Sequence, residues 1–231
     1  MRVFRQPQFD YSESELDNLE RTLSSERLKK YLQMASGDRA KAIRLYERNS
    51  ELSACLYIPM QGVEIALRNT VSNVLQQDFR RADWYDSPSL NLQRPQQDAL
   101  SKAKANLTRQ GKPHDPDRIV AELTFGFWVG LFGKAYSQFN LWNQHLHKAF
   151  PNASLQRKAC HSELDKVRLL RNRIAHHEPI LNRDLRADHS RLILIADWIC
   201  SDTSRWISCS SRFDTIHKNG WARNLIKALG L

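Results

Sequence analysis

The sequence predicts an all-α protein built as a bundle of helices. Its 231 residues include only 8 Gly and 8 Pro, so most of the chain can run as uninterrupted helix. Apolar residues recur at steps of three and four, and no segment alternates apolar and polar residues as a half-buried strand does. Apolar residues make up 41% of the chain and charged residues 26%, the balance of a globular protein with a core. We expect one domain over residues 1–231.

The N-terminal region is predicted to be helical from about Ser14. A helix over Glu26–Ala35 should end at Gly37, because glycine adopts the left-handed conformation that often follows a helix. Asp38 is a suitable N-cap for a second helix that runs through Asn49.

The middle of the chain carries the strongest breaks. Glu51–Phe79 has a helical apolar stripe, which Pro59 should kink or divide. Trp84–Asn91 reads as a polar loop, and Pro95 suits the first turn of a helix to about Gln110. Residues 111–116 mark either a surface loop, which we favour, or a subdomain boundary.

The C-terminal half begins with Asp117 as a helix cap, followed by an aromatic cluster of Phe125, Phe127, Trp128 and Phe132. This cluster either packs in the core, which we favour, or stacks on unpaired bases. Further helices are predicted at Leu141–Phe150, Ser154–Ala175, Asp184–Cys200, Thr203–Ser208 and Ala222–Leu229.

The chain carries a net charge of +10, spread over its helices rather than gathered in a tail. Such a surplus indicates either an anionic partner or simple solubility. The opening segment lacks the apolar stretch of a signal peptide, and the four cysteines form no CxxC pair. No apolar segment approaches the roughly 20 residues that span a bilayer. We expect a soluble, cytoplasmic protein without a membrane partner.

The segment that carries chemistry lies within residues 154–180. Asn172 and His176 are four residues apart and share one side of a helix, whereas Arg171 lies roughly 140° around the axis from His176. Pro179 disfavours helix at Glu178, so the helix should end nearby. We expect a relaxing turn at His176 or His177 to bring the groups to one site.

These residue types suit cleavage of an RNA backbone. A histidine exchanges protons with the 2′-hydroxyl or the leaving oxygen near neutral pH. Arg171 would hold the phosphate oxygens, and Asn172 would orient the imidazole or bind phosphate. RNA supplies its own nucleophile, so neither a metal nor another cofactor is expected. One histidine does not readily serve as both acid and base, which favours a two-fold homodimer. Taken alone, the spacing favours a basic helix end that is structural or complements the helix dipole.

The sequence resembles the bacterial Abi-like family, which is linked to abortive phage infection, within the HEPN superfamily. The resemblance extends from about Leu23 to Arg212 and is carried by five blocks in order. These are residues 23–28, 45–49, 63–69, 120–128 and 170–179.

The HEPN signature is an arginine, a polar residue, and a histidine four to six residues after the arginine. Arg171, Asn172 and His176 fit it. The resemblance implies a HEPN-type bundle with additional N-terminal helices, a homodimer and a metal-independent endoribonuclease that halts growth of infected cells. It also implies a silencing partner, protein or RNA. His177 falls within the permitted spacing and is either an auxiliary residue or a helix-end residue.

Other residues have two readings. Glu64 and Arg68 form either an intrahelical ion pair or, with Asn69, a clamp that holds the catalytic helix or contacts RNA. Arg168 and Arg173 either position phosphate or form a solvated face.

Two further functions remain open at this point. A non-catalytic RNA-binding or sensing module predicts salt-dependent RNA binding without product. A protein-interaction subunit of a defence system predicts neither cleavage nor RNA binding, but capture of a specific protein.

Overall fold

Helices account for every regular element that the computed structural model describes, which are those of residues 11–218. The prediction of an all-α protein is therefore confirmed. The predicted helix over Ala222–Leu229 lies outside the described residues. The α-helices are α1 (Glu13–Leu23), α2 (Ser25–Met34), α3 (Arg39–Phe79), α4 (Arg94–Arg109), α5 (Pro116–Glu122), α6 (Phe125–Gly130), α7 (Leu141–Gln144), α8 (Arg157–Ala175), α9 (Leu185–Ile199), α10 (Ser201–Ser210) and α11 (Phe213–Lys218). Short 3₁₀ segments occupy Trp84–Asp86, Lys134–Phe139 and Leu146–Ala149.

The described chain divides into two compact units, of which the first comprises residues 11–54 and 215–218. Ser12 begins α1 with a capping box, because its hydroxyl accepts from the Glu15 amide and its own amide donates to the Glu15 carboxylate. Arg39 donates to Glu13, Asp17 and Glu20 at 2.5 to 2.7 Å, which holds α1 against the start of α3.

The second unit comprises Cys55–Asp214 and holds the larger core. In α3 the side chains of Val63, Leu67, Val71 and Leu75 are fully buried at steps of four. Burial of each such side chain contributes roughly 1.5–3 kcal/mol to the stability of the fold. The aromatic cluster joins them, because Phe125, Phe127, Trp128 and Phe132 are at most 2% exposed, so the core interpretation is confirmed.

Helix α3 runs without interruption from Arg39 to Phe79, so the predicted end at Asn49 was wrong. Of the two effects predicted for Pro59, a kink or a division, the division does not occur. Proline lacks the amide that would bond to Cys55 and costs a helix interior about 3 kcal/mol. Leu56 and Met60 flank it and are 0% and 6% exposed. Their burial offsets the missing bond.

The predicted helix Leu141–Phe150 is instead α7 followed by a 3₁₀ segment. His145 leaves the helical conformation at φ −132°, and its Nδ1 lies 2.7 Å from Asp78 of α3. Lys148 donates to the same carboxylate at 2.7 and 2.9 Å. Burial alone would raise the pKa of Asp78, but the hydrogen bonds from Lys148 and His145 outweigh it and lower that pKa. This triad fixes the chain where the regular helix stops.

Two loops of the second unit differ in how far their side chains are buried. Residues 111–115 form an exposed loop between α4 and α5, the surface loop that the sequence favoured over a subdomain boundary. Pro116 already begins α5, and Asp115 rather than Asp117 occupies its N-cap. The segment after α3 was expected to be polar, yet Trp84 and Leu90 are 0% and 1% exposed. The Trp84 indole donates to Ser72 at 3.0 Å, which satisfies its buried N–H.

Candidate functional site

Helix α8 carries the motif and stays regular through Ala175. Cys160, Leu164, Val167 and Leu170 form its buried stripe. His176 is the C-cap, with φ −93° and ψ 9°, and its amide donates to the Asn172 carbonyl at 2.9 Å. His176 therefore keeps the position on the Asn172 side that a helix would give it.

The turn relaxes one residue later, at His177. His177 has φ 55°, in the left-handed region. Its amide donates to Ile174 O at 3.0 Å, and the Glu178 amide donates to Arg173 O at 2.8 Å. These two bonds form a Schellman motif, which usually has glycine at the left-handed position. Here a histidine occupies it.

The chain after the motif is anchored firmly. Ile180 is fully buried. Arg183 donates two hydrogen bonds to Asp188, at 2.7 and 2.9 Å, and Arg191 donates a third to the same carboxylate at 2.9 Å. Arg191 also donates to Glu163 of α8 at 2.6 Å. This network ties the loop that follows His177 to both α8 and α9.

Arg171 faces α3 rather than the Asn172 side of α8. Its Nε lies 3.4 Å from a carboxylate oxygen of Glu64, 107 residues earlier in the chain. The side chains are 36% and 28% exposed, so the pair is open to solvent on one side. On α3, Arg68 Nε donates to Asn69 Oδ1 at 3.1 Å.

The two helices enclose a cleft of about 310 Å³. Arg171 lies on one wall, and Glu64 and Arg68 lie on the other. Apolar and polar side chains complete the lining, namely Tyr57, Met60, Gln61, Ile65, Ile174 and Ala175. The cleft therefore combines two guanidinium groups, one carboxylate and an apolar floor.

The structure brings together some of the predicted residues and separates others. Arg171 shares the cleft with Glu64 and Arg68, but the lining includes neither Asn172 nor His176. The helix keeps Arg171 and His176 roughly 140° apart because the left-handed turn comes after His176. Within one copy of the chain, the cleft therefore holds Arg171 without the other two residues of the motif.

The flanking arginines differ in their surroundings. Arg168 donates to Asp165 of its own helix at 2.7 Å, whereas Arg173 is exposed and its Nη1 lies 3.4 Å from the Pro179 carbonyl oxygen. On the same helix, burial lowers the pKa of His161. Arg173 is thus the more accessible of the two predicted phosphate-positioning residues.

Sequence reasoning missed Tyr57, Gln61 and Ile65 as cleft residues. Tyr57, Gln61, Glu64 and Arg68 are spaced by four, three and four residues, which places them along one face of α3. Extending the predicted Glu64–Arg68 face by two turns towards the N-terminus would have found them.

The described part of the chain offers neither a cluster of metal ligands nor a helix that could span a membrane. Within residues 11–218, no group of three or more His, Cys, Asp or Glu side chains is arranged to hold a metal ion. No helix in that range is both long and apolar enough to cross a bilayer.

Comparison with known protein families gives a match. The family model described as "Abi-like protein" matches residues 11–182, a range that includes all of α1 to α8 and all five sequence blocks. The match ends before α9, whereas the resemblance noted in the sequence extended to Arg212. No curated protein and no solved structure matches the chain. Because the model covers well over half of the 231 residues, the chain belongs to the Abi-like protein family.

Proposed function

We propose that this protein is a metal-independent endoribonuclease of the HEPN type that acts in abortive-infection or toxin–antitoxin defence against phage. Membership of the Abi-like family supports the defence role. The observation that carries the enzymatic proposal is the contact between Glu64 and Arg171. It joins two separate blocks of the family resemblance at one solvent-open cleft.

Arg171 is the proposed phosphate ligand. A planar guanidinium binds two phosphate oxygens at once and stabilises charge that grows on them in the transition state. Glu64 holds the Arg171 side chain from the far side, which fixes its direction without covering it. Arg68 offers a second guanidinium in the same cleft, with Asn69 as its partner.

His176 is the proposed acid–base group, and Asn172, one helical turn before it, is its orienting residue. The 2′-hydroxyl gives its proton to an imidazole and attacks the adjacent phosphorus. The bond to the 5′ oxygen breaks, and that oxygen takes a proton from an imidazolium. The products are a 2′,3′-cyclic phosphate and a 5′-hydroxyl. His177, held in a left-handed conformation that glycine would adopt at less cost, is a candidate auxiliary group.

Two copies of the chain provide the base and the acid. His176 is exposed on the α8 face that also carries Leu169, an apolar side chain that is 47% exposed two turns earlier. We propose that two α8 helices meet across this face in a homodimer, so that the two motifs share one RNA strand. Leu169→Lys should then give a monomer in sedimentation velocity and abolish cleavage together with dimerisation.

A protein or RNA partner is proposed to silence the enzyme before infection. Cleavage should therefore be assayed both with purified protein and as growth arrest on expression.

The decisive experiment compares His176→Ala and Arg171→Ala with the wild type on RNA in the presence of EDTA. We expect each variant to lose cleavage while helicity and dimerisation stay intact. Removing an acid–base group costs about 10²–10⁴-fold in rate. His147→Ala and Arg205→Ala, exposed residues of the same types on other helices, are the matched controls and should cleave normally. If His176→Ala cleaves RNA at the wild-type rate, this mechanism is wrong.

A further inference from the structure

The Arg171 cleft has features that a phosphate site alone does not require. Tyr57 forms part of its lining with a side chain that is 55% exposed, and Ile65 is 40% exposed. Large apolar side chains are usually covered, and exposed ones beside a binding groove indicate contact with a ligand. These two flank Gln61 and Glu64 on the same helix.

The chemical groups follow a definite order along α3. Tyr57 lies at one end of the cleft, Gln61 follows it, and Glu64 with its partner Arg171 comes next. Arg68 closes the other end. From Tyr57 to Glu64 the helix rises about 10 Å. A nucleotide has the same order, with an aromatic base at one end, a hydroxylated sugar in the middle and an anionic phosphate at the other.

We infer that this cleft is a subsite for one unpaired nucleotide of RNA, with its base on Tyr57 and its phosphate between Arg68 and Arg171. The inference rests on the proposed function and extends it to the state of the substrate. A base must leave the duplex stack to lie on an aromatic ring, so the site selects single-stranded RNA. Gln61, whose amide both donates and accepts, is placed to meet the edge of that base.

The size and the charge of the cleft agree with this ligand. Its volume of about 310 Å³ is at the lower end of the roughly 300–1,000 Å³ typical of small-ligand sites. A single nucleotide fits that scale, whereas a duplex does not. An apolar segment of a second copy would instead cover the Arg171–Glu64 pair and remove its contact with water, which is costly.

The test measures binding of a labelled single-stranded RNA by fluorescence anisotropy in the full-length His176→Ala protein, so that RNA stays intact. Tyr57→Ala should weaken binding about tenfold, because stacking of one base contributes on that scale. Tyr57→Phe keeps the ring and should stay within about twofold of the parent. Leu194→Ala removes an exposed apolar side chain, 47% exposed, from α9 and is the matched control.

Salt dependence separates the two halves of the subsite. Tyr57→Ala should leave the slope of log affinity against log salt unchanged, because no phosphate contact is lost. Arg68→Gln should reduce that slope by about one. A fully paired duplex of the same sequence should show no dependence on Tyr57.

Three results would overturn the subsite. They are single-strand binding by Tyr57→Ala as tight as that of the parent, equal dependence of duplex binding on Tyr57, and a change of oligomeric state on Tyr57→Ala. The last would mean that a second copy occupies the cleft. Failure of the cleavage proposal is distinct, since it would leave Tyr57-dependent RNA binding in a protein whose wild type never forms product.

Discussion

Replacing His177 by glycine should stabilise the protein, although it removes a residue of the motif. His177 occupies the left-handed position of the Schellman motif that ends α8. Helix α4 ends in the same motif, because the Gly111 amide donates to Thr108 O at 3.0 Å and the Lys112 amide donates to Leu107 O at 2.9 Å. There the left-handed residue is a glycine, with φ 65°. The two helix ends can therefore be compared by reciprocal substitutions at residues 177 and 111.

The size of the effect follows from two opposing terms. A left-handed conformation costs an L-residue about 1–2 kcal/mol, and glycine escapes that cost. Glycine loses more backbone entropy on folding, which destabilises the glycine variant by about 0.5–1 kcal/mol. The net gain from these backbone terms for His177→Gly is about 0.5–1 kcal/mol, or roughly 1–4 °C in Tm for a chain of this size. The backbone hydrogen bonds of the motif do not involve the side chain and should persist.

The measurement is urea unfolding of wild type, His177→Gly and Gly111→His, followed by circular dichroism. We expect the midpoint to rise for His177→Gly and to fall by a similar amount for Gly111→His. Lower stability of His177→Gly than of wild type would refute the reasoning. Assayed for cleavage, the same variant decides between the two readings of His177, because an auxiliary group lowers the rate when it is removed and a plain helix-end residue does not.

Three other predictions test packing, charge and the shared site. Gly62→Ala places a Cβ 2.7 Å from Cδ1 of the fully buried Ile207 and should cost about 1–2 kcal/mol in urea unfolding despite the better helix propensity of alanine. Gly126→Ala, whose new Cβ would meet its nearest neighbour at 3.7 Å, should not be destabilised. The pKa of Asp78 lies below its ordinary 3.8, so the ionised carboxylate stabilises the fold above that pH and this stabilisation is lost as the pH falls below it. Asp78→Asn should therefore be less stable than wild type at pH 7. It should also lose less stability than wild type on acidification below about pH 4. Wild type and His176→Ala can be mixed in equal amounts and allowed to exchange subunits. If both copies supply a histidine, the mixture should keep about a quarter of the activity of wild type at the same total protein concentration, and if each copy works alone it should keep about half.

Local signals in the sequence predicted most of the helices. The boundaries of α4, α8 and α9 follow from Pro95, from the stripe through Leu164 and Val167, and from Asp184, whose carboxylate accepts from the Ala187 amide. Each signal acts within one or two turns, so it can be read without knowledge of the tertiary structure.

Contacts between distant residues could not be predicted in this way. The pairing of Glu64 with Arg171 spans 107 residues, and neither helix pattern states which face meets the other. The relaxing turn was predicted at His176 or His177, and it lies at His177. Which of the two histidines would be left-handed could not be predicted, because Gly or Asn normally marks that position and neither occurs here. That one-residue difference decides which face His176 occupies.

The continuity of α3 across Pro59 connects the error in the fold to the chemistry of the cleft. If the helix had divided at Pro59, Tyr57 would belong to a separate element, and its direction relative to Glu64 and Arg68 would depend on a flexible joint. Because Leu56 and Met60 are buried on either side of the proline, the helix persists and all three residues share one face. The burial of the α3 core therefore fixes the spacing of an aromatic ring, a carboxylate and a guanidinium group along one helix face, as the proposed nucleotide subsite requires.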